Sequence, residues 1–351
     1  MAGKKKPKRF LLKQLIMRRV LLALLPPVAG AVYFFGWRSL ALVVWAGVVG
    51  LGVEYLFTRL RGEPVTESVF VTTTIFALIM PPSVPWHVLT IGVIFAVMFT
   101  KEVFGGFGRN VFNPAMAGRC FVYVCFPVAL TAMWSPAAEG VWGGLDRWTT
   151  ATGPDAITSA TPMAYLKAGR LVLVAEETAP ADVPFEIPED QTVPVRRNDF
   201  WQMLLLGRVS GTMGVTSALL IGLGGLYLFV TKTASRTIII ALILTYAGLS
   251  QLLYWLGVPP VPSAVTALLG GGWLFGAFYM ATDPISAPRT EPAKVFYAMI
   301  IGIATVVIRN FSVFNGGLMF AILIGNMFAP LLDYAVRARA AGRRGKPVEA
   351  T

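Results

Sequence analysis

Apolar residues run along this chain in blocks separated by short polar breaks, and most blocks have the length a bilayer requires of a helix. Blocks at about 20–35, 39–57, 68–80, 86–100 and 114–134 predict five spans. Blocks at about 214–231, 237–256, 262–280, 293–308 and 316–335 predict five more. The third and fourth are short and joined by Pro-Pro-Ser-Val-Pro, which predicts broken or tilted helices. Only residues 135–213 form a long polar interruption. The pattern therefore predicts an all-α polytopic membrane protein of ten transmembrane helices. Its parts are a basic tail (1–19), a five-helix membrane half (20–134), a loop (135–213), a second five-helix half (214–335) and a second basic tail (336–351).

Composition agrees. The 351 residues are 56% hydrophobic and 14% charged, against about a quarter charged in a soluble domain. The net charge of +12 sits mainly at the two ends and in alternate short loops, as in Arg59 and Arg61, Lys101 and Arg109, Lys232 and Arg236. With ten spans all of these fall on one side, which the positive-inside rule makes cytoplasmic. Both termini are then cytoplasmic and the 135–213 loop faces outward. The basicity is a topology signal rather than a nucleic-acid surface. Two cysteines, Cys120 and Cys125, and one histidine, His87, exclude a conventional metal centre within this chain.

The halves resemble each other. "IFALIMPPSVP" followed by "IGVIFAVMF" is similar to "GAFYMATDPISAP" followed by "IGIATVVI". Five spans per half, an odd number, would place the halves in opposite orientation as an inverted repeat, and broken helices in such folds carry ion and substrate sites.

Ionisable residues at or within spans are costly and are functional candidates. Glu54 is the deepest, and Glu102, Asp283 and Asp333 join it toward the cytoplasmic side. Their oxygens suit a hard cation; the plainer alternative is that they cap helices or pair with Lys101, Arg289 or Arg337. The loop 101–114 is glycine-rich and carries Asn110 and Asn113, whose amides offer donors and acceptors to a flavin or quinone edge. It lacks the Lys-Ser/Thr of a phosphate-binding loop. Pro114 fits the first turn of the next helix. In the outer loop, Asp155-Ala-Ile-Thr-Ser159-Ala-Thr161 is a run of small residues ending in threonine, a pattern that also serves as an acceptor for covalent attachment.

The segments "KEVFGGFGRNVFNPAMAGR", "DAITSAT", "ATDPISAP" and "NMFAPLLDY" occur in order. Together they resemble the B subunit of the sodium-translocating NADH:quinone reductase and the D subunit of the Rnf ion-translocating electron transport complex. The resemblance covers nearly the whole chain. It implies FMN joined through its phosphate to Thr161 by a flavin transferase, with Asp155 and Ser159 in the recognition motif. It further implies non-covalent riboflavin at Asn110 and Asn113, sodium uptake through Glu54, Asp283 and Asp333, and a quinone region near Gly50. The implied setting is a bacterial inner-membrane complex that passes electrons from NADH or ferredoxin toward quinone or NAD, with other subunits, membrane lipid and Na+ as partners. The chain has no NADH motif and no iron–sulfur cysteines, so it would not act alone. The competing expectation is a redox-independent channel or solute transporter built on a urea- or ammonium-type inverted repeat.

Overall fold

The computed structural model describes residues 10–150, 160–175, 180, 182–184, 186–188, 190–314 and 316–344, and of Arg343 and Arg344 only the backbone. A two-residue strand, β1 (Leu11–Leu12), leads into α1 (Leu15–Phe35), α2 (Trp37–Arg61) and strand β2 (Val65–Thr66). Next come α3 (Ser68–Leu78), α4 (Trp86–Val97, continuing as a π-helical turn over Met98–Glu102), α5 (Pro114–Cys125) and α6 (Pro127–Thr131). The loop region contributes α7 (Pro162–Lys167), β3 (Leu171–Val174), β4 (Val193–Arg196) and α8 (Arg197–Leu206). The second half holds α9 (Ala218–Val230), α10 (Arg236–Trp255), α11 (Ala264–Leu269), α12 (Trp273–Phe275, followed by a π-helical turn over Gly276–Met280), α13 (Glu291–Phe311) and α14 (Gly317–Arg344).

Helix thus occupies part of every stretch expected to span. Among the described residues, five helices are long and apolar enough to cross a bilayer unaided: Leu15–Phe35, Trp37–Arg61, Arg236–Trp255, Glu291–Phe311 and Gly317–Gly342. The others are short or interrupted. α3, with 11 residues, rises only about 16 Å, roughly half the hydrocarbon thickness. Pro127 divides α5 from α6. The eighth stretch breaks at Gly270-Gly271-Gly272, where Gly271 and Gly272 have φ of 61° and 66°, a region costly for any other residue.

Most of the core is one apolar cluster running through both halves. α1 packs on α2, α3 and α9; α2 on α3 and α4; α4 on α5; α10 on α13; α13 on α14; and α5 meets α14 across the halves. Pro26 and Pro27 lie inside α1. Pro27 has no N–H, so the Ala23 carbonyl four residues back loses its helical partner. Tyr279, projecting from the second π-helical turn, donates its hydroxyl to that oxygen at 2.9 Å.

The expectation of a purely α chain is corrected in two places. β1 and β2 pair in parallel, strapping the start of α1 to the α2–α3 turn. β3 and β4 also pair in parallel, so part of the region between the halves is folded. Leu-Val-Leu-Val buries Leu171 and exposes Val172, the alternation of a half-buried strand. With Tyr165, Ile187, Val195, Phe200 and Leu204 it forms a second, small core. Strands of two and four residues are too short to leave a readable pattern in a sequence dominated by spans.

Candidate functional site

Two cavities among the described residues hold candidate positions, and they adjoin at the second π-helical turn. The first, of about 60 Å³, is lined by Lys101, Asn110, Asn113, Tyr279, Thr282 and Asp283, with apolar residues from α1, α3 and α9. Asn113 sits here because it caps α5: its side chain accepts from Met116 N at 3.2 Å, and Pro114 follows at the first helical position. Its amide Nδ2 donates to the Met280 carbonyl at 3.2 Å. That carbonyl belongs to the second π-helical turn. Asn110 is buried and donates to the Phe112 carbonyl at 3.1 Å. Asp283 accepts from the Ser286 hydroxyl at 2.7 Å.

The structure thus brings Asn110, Asn113 and Asp283 together and adds Lys101. Glu54 is linked through that lysine. It is fully buried on α2, with Oε2 2.5 Å from Lys101 Nζ and Oε1 accepting from Thr66 N at 2.8 Å. Asp333 stands apart. It accepts from the backbone N–H groups of Arg289 (2.7 Å) and Thr290 (2.9 Å), just before α13, where a carboxylate both caps the helix and meets the positive end of its dipole. Glu102 pairs with Arg61, while its Oε1 is buried without a hydrogen-bond partner among the described residues. Gly50 lines neither cavity. A methyl group there would lie 2.3 Å from Thr73 Cγ2, so the glycine lets α2 approach α3.

The second cavity, of about 190 Å³, contains Thr161. Thr161 caps α7: its hydroxyl accepts from Ala164 N at 3.3 Å, with Pro162 at the first helical position. The small core holds this turn in place, because the buried Tyr165 hydroxyl accepts from both Ala160 N and Ile187 N at 3.3 Å. Asp155 and Ser159 fall outside the described residues.

Three half-buried cations share the Thr161 cavity among the described residues: Arg119 from α5, Lys167 from α7 and Arg309 from α13. Arg119 donates to the Ile79 carbonyl at the end of α3, Lys167 to the Ser312 carbonyl at 2.5 Å, and Arg309 to the Tyr246 hydroxyl at 3.1 Å. Arg309 reaches the cavity because Gly271 has no side chain: a methyl there would lie 2.0 Å from its Nη2. Burial, and then the neighbouring Arg309 charge, hold the Lys167 ammonium below the usual lysine range. The Thr212 hydroxyl on the wall is buried without a hydrogen-bond partner among the described residues. Such a lining favours an anion carrying several acceptor oxygens.

The profile of the NQR2, RnfD, RnfE family matches residues 12–342. The chain belongs to this family. Among its relatives, the B subunit of the Na(+)-translocating NADH-quinone reductase of Ectopseudomonas mendocina is 34% identical over 314 residues, covering 88% of this chain and 68% of that protein. The D subunit of the ion-translocating oxidoreductase complex of Alcanivorax borkumensis is 34% identical over 338 residues, covering 93% of this chain and 92% of that protein. The corresponding D subunit of Shewanella amazonensis is 31% identical over 349 residues, covering 94% of each chain.

In this NQR2, RnfD, RnfE family member, sequence reasoning missed Asn326, Arg119 and Arg309. Asn326 is fully buried on α14; its Oδ1 accepts from Asn113 N at 3.1 Å, and its Nδ2 donates to the Tyr297 hydroxyl at 2.9 Å and to the Ser286 carbonyl at 3.3 Å. It therefore joins the asparagine loop to the Asp283 turn. Its signal was present, since Asn326 opens the "NMFAPLLDY" segment and is a buried amide within a span. Arg119 likewise closes the "KEVFGGFGRNVFNPAMAGR" segment.

Proposed function

We propose that this chain is the flavin-carrying integral membrane subunit of an ion-translocating electron transport complex of the sodium-translocating NADH:quinone reductase or Rnf type. FMN would be carried on Thr161 through a phosphoester bond. The observation that carries this reading is the Thr161 hydroxyl on a cavity wall with Arg119, Lys167 and Arg309. The fit to a phosphoryl group is good: Lys167, Arg309 and Arg119 supply positive charge, and the Thr212 hydroxyl supplies a further donor. When bound, the flavin supplies one-electron chemistry. The chain's own residues position its phosphate and shield the site from water. At the other cavity, the Asn110 and Asn113 amides would hold the ring edge of riboflavin.

A cation, with Na+ favoured by the name of the B-subunit relative, would follow the acids Glu54, Asp283 and Asp333, with Glu102 at the mouth. Ten spans in two inverted five-helix halves best accommodate the short and broken helices, which protein neighbours rather than lipid must then cover. Equivalent pairings in the two halves support the repeat: second on fourth and fourth on fifth helix recur as α2 on α4 and α4 on α5, then α10 on α13 and α13 on α14. In that arrangement the Thr161 cavity faces outward across the bacterial inner membrane, within reach of a flavin transferase. The Asp283 cavity and both termini face the cytoplasm. Partner subunits would bring electrons from NADH or ferredoxin and pass them toward quinone or NAD.

Co-production with a flavin transferase tests this. Wild-type protein is expected to keep flavin fluorescence in a denaturing gel, and Thr161→Ala to lose it entirely. A fluorescent Thr161→Ala band, or a dark wild-type band, refutes the assignment.

A further inference from the structure

Lys101 lies within a buried oxygen cage. Its ammonium donates to Glu54 Oε2 at 2.5 Å, Ser68 Oγ at 2.9 Å and Thr66 Oγ1 at 3.0 Å, which uses all three of its protons. Thr66 in turn donates its hydroxyl and its N–H to Glu54 Oε1, fixing the carboxylate from behind. One full negative charge and two hydroxyls, drawn from α2, β2 and the start of α3, therefore converge on a single cationic point. A donor set made only of hard oxygens suits a bare cation as well as an ammonium.

Two further observations bear on the occupant. Lys101 is carried by the π-helical turn that ends α4, a type of irregularity frequent at functional sites. It also lines the adjoining cavity, whose wall carries a second carboxylate, Asp283. Its four-carbon stem is flexible, so the ammonium has both a place to go and a charge to meet there. Removing one member of a buried ion pair leaves the other uncompensated at high cost. The ammonium can therefore leave Glu54 only as another cation arrives.

We propose that the Glu54–Thr66–Ser68 cage is a monovalent-cation site whose occupant alternates between the Lys101 ammonium and a free cation. The displaced ammonium turns into the Asp283 cavity. Lys101 is then a tethered competitor that gates the route, passing its charge from one carboxylate to the next as the free cation enters. This deepens the cation route proposed above, and its test uses no electron transfer, so failure here leaves the redox reading to stand or fall separately.

The first measurement uses the wild-type full chain in detergent, treated with a small amine-reactive acylating reagent in sodium chloride or in choline chloride at equal ionic strength. Peptide mass mapping is expected to find Lys101 modified several-fold more in sodium, because the displaced ammonium is accessible. Equal modification in the two salts overturns the proposal. The second measurement compares thermal unfolding midpoints of K101M and K101M/E54Q. The K101M midpoint is expected to rise by several degrees in sodium relative to choline, beyond any wild-type response, and the double variant is expected to lose that extra rise. A sodium response that survives in K101M/E54Q overturns the proposal. So does a K101M chain that cannot fold in sodium while the double variant folds.

Discussion

Individual residues divide into those that hold the bundle together and those free to do chemistry. Gly224 and Gly222 lie two positions apart on α9, yet their surroundings differ. A methyl group at Gly224 would lie 2.0 Å from both the Ala23 carbonyl oxygen and the Tyr279 hydroxyl; nothing lies within 4 Å of one at Gly222. Gly224→Ala is therefore expected to destabilise by about 1–3 kcal/mol or more, since backbone blocks the added methyl. Gly222→Ala is expected to be neutral or stabilising by about 0.5–1 kcal/mol, from helix propensity. Thermal unfolding midpoints of the two purified variants check the contrast. The same logic bears on Gly50, where the approach of α2 to α3 accounts for the glycine. Loss of activity in a Gly50 variant therefore reports on quinone only if the helix packing survives.

At the scale of elements, the β1 strap illustrates how a short segment is held by charge. Gln14 N donates to Glu67 Oε2 at 2.7 Å, and Arg18 reaches Glu67 Oε1 at 2.6 Å. The Arg18 hydrogen bond holds the Glu67 carboxyl below the usual glutamate range. A depressed carboxylate contributes stability above its unfolded value of about 4.3 and loses it as pH falls through the lower folded value. Hydrogen-exchange protection of the β1–β2 pairing, Leu11 with Val65 and Leu12 with Thr66, is therefore expected to persist at neutral pH and to fall on acidification below about pH 4. Glu67→Gln is expected to show the weakened protection already at neutral pH. Protection that is independent of both pH and the substitution would refute the role of this pair.

Elements also mark what could be read in the sequence. Asn113-Pro114 and Thr161-Pro162 both carry the local signature of a capped helix start, and both sit on cavity walls. Local chemistry wrote those sites into adjacent residues. Arg119 and Arg309 share a wall although they lie on helices of different halves, and no spacing rule connects them. The Glu54–Lys101 pair spans 47 residues and was legible only as one of several possible partners for an interfacial acid. The Gly270–Gly272 break is visible as three glycines, but its purpose emerges only once the Arg309 guanidinium is seen to fill the space above Gly271.

At the scale of the whole molecule, α13, whose 21 residues rise about 31 Å, is close in length to the hydrocarbon thickness, while the two cavities adjoin where Met280 lines one and Tyr279 the other. The proposed ten spans would put Val141 and Lys232 on opposite faces. Val141 and Lys232 are both exposed. In a background with Cys120 and Cys125 replaced, Val141→Cys is expected to react with an impermeant maleimide added to intact cells, and Lys232→Cys only after permeabilisation. Reaction of Lys232→Cys in intact cells, or of Val141→Cys only after permeabilisation, would refute the arrangement and with it external loading of Thr161.

Asn326, on the last helix, supplies the oxygen that receives the Asn113 N–H, while Asn113 in turn satisfies the Met280 carbonyl. Each half of the polypeptide thus finishes a hydrogen bond begun by its counterpart. Were the gene divided in two at the intervening segment, each fragment would be left with polar groups that the other satisfies, at about 1–3 kcal/mol apiece. The N-terminal product would carry two stranded donors and the C-terminal one two stranded acceptors, and each would gain stability from the other's presence.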